Sequence, residues 1–207
     1  QQMDLREKIL FQTEEMFMRY GIKSVTMDDI SRELGISKKT LYQFVDNKAD
    51  LIQQIFHEHT KREIEAMTAI KAESKNALEE MLSMARYVSQ MIRKTGPKVI
   101  FDLKKYYRPT YELMESFHQQ TVYRIIRENL EQGIREKIYR KEIDVDIISK
   151  LYVVSTFQIV DDGIFPMKDY NRETLYWELI KYHINGIASA KGLELLQKYS
   201  GERRRQK

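Results

Sequence analysis

Cysteine is absent from the 207 residues, which excludes disulfides and thiolate metal sites together. Proline occurs three times, at Pro97, Pro109 and Pro166, each at the edge of a helical pattern rather than inside one. No apolar run approaches the ~20 residues of a spanning helix, and no signal-peptide pattern opens the chain. A cytoplasmic location with no membrane partner is therefore the default expectation. No stretch alternates with period two long enough to suggest a sheet, and neither an internal repeat nor a low-complexity linker is found. Catalytic patterns are missing too: there is no nucleophile elbow and no phosphate-binding glycine loop. His118 follows Glu115 by three residues, as a di-iron ligand pair does, but such a bundle needs two of these pairs and two further carboxylates. Gln54, Phe56 and Ile180 stand three residues before His57, His59 and His183. No metal, no cofactor and no enzyme activity are expected.

What is present is a helical chain with ample means to bury a core. Hydrophobic residues make up 42% and charged residues 32%, a balance of neither disordered nor membrane chains. The net charge of +4 is no argument for nucleic acid. Lys198, Arg203, Arg204, Arg205 and Lys207 against Glu202 account for the whole excess, and a terminal charge run is expected to be a solvated, frayed end.

The most informative stretch runs from Thr26 to Lys48. Thr26 is a good N-cap, and Asp29 can reach back to complete a capping box. Met27, Ile30 and Leu34 form the core stripe of one short helix. Gly35 follows, where a helix end favours the left-handed conformation. Ser37 can cap again, and Lys38 to Phe44 make a second helix with a seam through Leu41 and Phe44 or Val45. Its other face holds Lys38, Lys39, Thr40 and Gln43. A helix, a glycine turn and a helix with such a face fit a helix-turn-helix DNA reader.

These residues resemble the TetR family of bacterial transcriptional regulators. The resemblance rests on Phe17 and Gly21, then Thr26, Ile30, Leu34-Gly35-Ile36-Ser37, Leu41-Tyr42, Lys48 and Leu51, and covers about the first quarter of the chain. Two positions depart from the family pattern: Lys39 replaces a small glycine, and Phe44-Val45 replaces His or Tyr followed by Phe. The resemblance implies an all-α fold with a helix-turn-helix domain at 1–50 and a helical effector-binding and dimerisation domain at 51–207. It also implies that Tyr42 and Lys48 contact DNA phosphates. Lys suits guanine and Gln suits adenine in the major groove, so Lys38, Lys39, Thr40 and Gln43 are candidates for base or phosphate contact. Thr26 and Ser37 are caps first, with backbone contact second.

Helical spacing predicts a first helix from Leu5 to Tyr20, a long one from Lys48 to Ala72, then Asn76–Lys94, Lys98–Tyr107, Thr110–Glu136, Val145–Ile159 and Glu173–Ala190. The last two are apolar on more than one face, which demands burial on more than one side. Helices near 144–165 and 171–190 are therefore expected to pair across a homodimer axis. A plastic pocket for a small-molecule effector is implied by the resemblance, with Phe101, Tyr111, Phe117 and Tyr152 as candidate lining.

The leading expectation is a ligand-responsive regulator, a repressor in particular, that binds a near-palindromic operator as a dimer and is released by its effector. A helical ligand-binding protein or enzyme with a vestigial reader is the alternative, and a non-specific DNA-binding protein is a third.

Overall fold

A computed structural model describes residues 4–205. Among the described residues the chain is all-α, with one isolated bridge between Tyr139 and Ala188. The helices are α1 (Leu5–Tyr20), α2 (Met27–Leu34), α3 (Lys38–Leu41), α4 (Lys48–Glu73), α5 (Ala77–Lys94), α6 (Pro97–Tyr106) and α7 (Arg108–Phe117). A π-helical segment at His118–Val122 follows, then α8 (Tyr123–Arg135), α9 (Val145–Gln158), α10 (Arg172–Ile187) and α11 (Ala190–Arg205). None is long and apolar enough to cross a membrane.

Two compact units emerge. One comprises 1–66 with 93–115, the other 67–92 with 116–207. Within the first, α6 closes on α1. A Cβ on Gly96 would stand 2.1 Å from the Met18 carbonyl oxygen, so only a glycine backbone can approach the end of α1 so closely.

In the first unit α1 is capped by Asp4 in a complete capping box with Glu7, and buries Ile9, Leu10, Thr13 and Phe17. Ile30, Leu34, Leu41, Val45 and Leu51 of the same unit are buried as well. The Glu14 carboxylate also lies inside, taking a hydrogen bond from His59 Nδ1 at 2.7 Å and an ion pair from Arg62. Its pKa falls below the usual carboxylate range: burial raises it, but the imidazole and guanidinium outweigh that.

The second unit has its own core: Leu78, Met81, Ala85, Leu130, Tyr139, Tyr176, Ile180, Ile184 and Ile187 are all nearly or fully buried. Two polar side chains tie it together. Asn129 Nδ2 donates to the Ala77 carbonyl and to Glu80 Oε2, both at 2.9 Å. The Tyr139 hydroxyl donates within reach of the same carbonyl and of Asn129 Oδ1, at 3.1 Å each. Such groups hold their place because a lost partner inside a core is costly.

The structure corrects three expectations. The single helix expected over Thr110–Glu136 is interrupted by the π segment, which sets His118 edge-on to Phe157 of α9 at 5.2 Å. Pro109 does not close a helix but sits in the first turn of α7, where its missing N–H costs nothing. Beyond Ile187 the chain turns extended at Ala188 and starts another helix, α11. Arg140 N–H to the Ile187 carbonyl (2.8 Å) and Ser189 N–H to the Ile138 carbonyl (2.9 Å) pull the backbone out of helical register. The basic end was expected to be frayed. Its residues 206–207 and the side chains of 200–205 lie outside the described residues.

Gly133 is another position where packing leaves no space for a side chain. A Cβ there would lie 2.0 Å from the Tyr139 ring, which is held by its buried hydroxyl and cannot swing away. Gly133→Ala is expected to lower the free energy of unfolding by about 1–3 kcal/mol, the usual cost of overpacking, read from urea denaturation followed by circular dichroism.

Candidate nucleic-acid interface

The two reader helices are set by caps that the sequence announces. Thr26 Oγ1 accepts the Asp29 amide at 3.1 Å, while Asp29 Oδ2 accepts the Thr26 amide at 2.9 Å and its hydroxyl at 2.6 Å. These bonds hold the Asp29 carboxyl below its ordinary pKa. Gly35 ends α2 in the left-handed conformation at φ 66°, and the Ile36 amide reaches back to the Ser31 carbonyl at 3.0 Å. A Cβ on Gly35 would meet nothing; the backbone angle, not space, calls for glycine there. Ser37 Oγ accepts the Thr40 amide at 3.0 Å and opens α3. This helix is one turn long, Lys38–Leu41, and Tyr42 to Phe44 continue as turn rather than helix.

Leu41 and Val45 point inward, leaving Lys38, Lys39, Tyr42 and Gln43 exposed. Their donors are not equally available. Lys38 Nζ reaches Asp28 Oδ1 at 2.7 Å, and that hydrogen bond raises its pKa. The pair is open to solvent, so a phosphate can take its place at little cost. Thr40 Oγ1 shares a hydrogen bond with Ser37 Oγ at 2.8 Å, so both hydroxyls are engaged. Lys39, the Tyr42 hydroxyl on a ring 47% exposed, and the Gln43 amide are left as the ready donors.

Lys48 is the residue expected to bind phosphate. Its ammonium turns inward and donates to the carbonyls of Ile22 and Val25, close to the faces of Phe17 and Tyr107. Burial pushes its pKa down. It closes the turn that joins α1 to α2. The same turn is held from α6, where buried Asp102 accepts the Lys23 amide through Oδ2 at 2.8 Å. No local pattern marks Asp102, since its partner lies far away along the chain.

Residues 9–55 match the model of the bacterial regulatory proteins of the tetR family. The first quarter of the chain thus carries the DNA-binding domain of the tetR family. The chain is 25% identical over 186 residues to YvaF of Bacillus subtilis, an uncharacterized HTH-type transcriptional regulator, with 88% of this chain and 95% of YvaF covered. The fold is shared with a TetR-family regulator from Agrobacterium tumefaciens (TM-score 0.72, 13% identity, 89% of this chain and 97% of that one). It is shared too with a transcriptional regulator from Saccharomonospora viridis solved in complex with choline (TM-score 0.67, 15% identity, 89% and 97%).

The four candidate effector residues are divided between the two units. Phe101 and Tyr111 belong to the first, Phe117 and Tyr152 to the second. Phe101 is 53% exposed on α6, an outward position that does not suit a pocket wall. Tyr111 and Tyr152 are buried, and Phe117 is half-buried with its ring edge-on to His118. Sequence reasoning set His183 aside, yet its ring meets Tyr152 at 4.8 Å and its buried Nε2 has no hydrogen-bond partner. Burial pushes its pKa down to about 4.

Three expected outcomes follow from this geometry. Lys39→Gln is expected to make the salt dependence of DNA binding shallower by about one charge. Lys48→Met is instead expected to cost about 1–3 kcal/mol of stability through its two orphaned carbonyls, leaving that slope unchanged. As pH falls below the usual histidine value of about 6.5, the unfolded chain takes up a proton that native His183 refuses until about 4. Stability should therefore drop across that window, by about 2 kcal/mol at pH 5 relative to pH 7. His183→Phe should flatten this part of the profile in urea titrations at the two pH values.

Proposed function

We propose that this TetR-family regulator is a cytoplasmic repressor that binds a near-palindromic operator as a homodimer and lets go when a small molecule occupies its second unit. The single observation that carries the reading is the Lys38–Gln43 face, standing on a capped helix pair with Lys39, Tyr42 and Gln43 turned to solvent. Lys39 and Gln43 have the chemistry to meet base edges or phosphates, and Tyr42 can donate to phosphate. Thr26 and Ser37 contribute as caps, and Thr40 and Lys38 contribute after exchanging their present partners. Lys48 contributes by shaping the turn.

A two-fold dimer is supported by the outer face of α9. Ile147, Leu151 and Val154 lie at helical spacing and are 53%, 56% and 56% exposed, while Ser149, Tyr152 and Val153 point into the unit. Tyr182 of α10 is 81% exposed beside Gly186, where a Cβ would meet nothing. An apolar stripe of this kind on a surface helix invites a copy of itself. Paired readers would then meet DNA one helical turn apart, about 34–36 Å.

An effector site is supported by the unpartnered His183 imidazole beside Tyr152, since an apolar site with one polar group is the usual form of a small-molecule pocket. The Saccharomonospora viridis relative, solved with choline, is a precedent for a small ligand on this fold. Effector and operator then oppose one another by linkage, each weakening the other by the same factor.

Selection of bound sequences from random duplex DNA by the purified protein is expected to return a palindrome, and the protein should sediment as a dimer. Leu151→Glu should give a monomer of unchanged helical content whose affinity for the selected duplex falls at least tenfold. A wild-type monomer, or selection without a motif, would overturn the proposal.

A further inference from the structure

The first unit carries its positive charge in an unexpected place. Residues 1–66, which include the whole reader, hold ten lysines and arginines against twelve aspartates and glutamates. Residues 93–108 hold six against Asp102 alone, and that carboxylate is buried and spent on the Lys23 amide. Of the reader's lysines, Lys38 is paired with Asp28 and Lys48 is turned onto carbonyls, so Lys39 is left to supply free charge. Duplex binding draws much of its affinity from cations that displace condensed counterions.

The cations of α6 are arranged rather than scattered. Lys98, Phe101 and Lys105 stand at i, i+3 and i+7, one helical face, and all three are exposed. Lys105 Nζ lies 5.3 Å from the Phe101 ring centre and 5.4 Å from that of Tyr106. From the other side Lys23 Nζ donates to the Tyr106 hydroxyl at 2.9 Å and sits 4.2 Å from its ring. Neither Lys98 nor Lys105 forms an ion pair among the described residues. The Lys98 Cβ would be 3.1 Å from a Cβ on Gly21, so the stripe abuts the turn that leads, three residues after Lys23, to the Thr26 cap of the reader.

We propose that α6 is a second DNA-contacting element, in which Lys98 and Lys105, continued by Lys23, face duplex phosphates beside the half-site and add sequence-independent affinity to the reader. Several features favour duplex DNA as the partner. The stripe belongs to the same compact unit as the reader and adjoins its entry turn. Its ammoniums lack carboxylate partners, and residues 1–66, which hold the reader, carry a small net negative charge. The inference rests on the DNA-reader assignment.

The test is the salt dependence of binding to a 30-base-pair mixed-sequence duplex, read by fluorescence anisotropy for the full chain. The double variant Lys98→Gln, Lys105→Gln is expected to make the slope of log K against log salt less negative by about 1.8, two phosphates at about 0.9 each. Lys75→Gln, in the second unit, should leave it unchanged, and all variants should unfold at the wild-type urea midpoint. If the double variant keeps the wild-type slope while Lys39→Gln changes it, the reader stands and the α6 proposal falls. If neither changes the slope, the DNA-reader assignment falls and takes the α6 proposal with it.

Discussion

The turn from Gly21 to Val25 is the constraint on which the reader depends. Gly21 adopts φ 84°, a region closed to most side chains, and the segment then presents two carbonyls and an amide to the protein. Each needs a partner once water is excluded. The Lys48 ammonium serves both carbonyls and the Asp102 carboxylate serves the Lys23 amide. Lysine suits the first task because three donors sit at the end of a long apolar stem that can pass the Phe17 ring. Burial disfavours its charge, and Asp102 and Asp29 offset part of that cost. The start of α2, and hence the angle at which α3 is presented, follows from how this turn is closed.

Economy of charge is the second theme of the first unit. Most polar side chains of the reader pair are engaged with the backbone or with one another: Thr26 with Asp29, Ser37 with Thr40, Lys38 with Asp28. Caps fix the geometry of two very short helices that would not persist alone. The cost is that few donors are left over, which gives Lys39, Tyr42 and Gln43 their importance and makes the cations of α6 significant.

The second unit solves a different problem. Its core combines large apolar side chains with a few satisfied polar ones, among them Ser89, which donates to Glu173 at 2.8 Å and accepts from Trp177 Nε1 at 3.0 Å. Against that background the unpartnered His183 nitrogen is a local conflict of the type that marks functional positions. The π segment lies in the same unit, and such turns interrupt helices where regular packing gives way.

Local order was legible in the sequence because its causes lie within a few residues. The Thr26 and Ser37 caps, the Gly35 turn, the ends of α1 and the span of α4 each depend on bonds between near neighbours, and residue types announce them. The apolar pattern of α9 without a single stripe was legible as well; in the chain one side is buried through Ser149, Tyr152 and Val153, and Ile147, Leu151 and Val154 stand exposed on the other. Tertiary structure decided what distance along the chain conceals. The Lys48 side chain reaches carbonyls more than twenty residues away, and Asp102 an amide 79 residues away. The helix breaks at Ala188 because the backbone at Ile138 and Arg140 claims the hydrogen bonds of Ser189 and Ile187, whereas Gly186, two residues earlier, stays helical. A sequence states which groups can bond and how a helix should run; which distant partner a charged or polar group meets is settled only when the folded chain brings them together and removes the water between them.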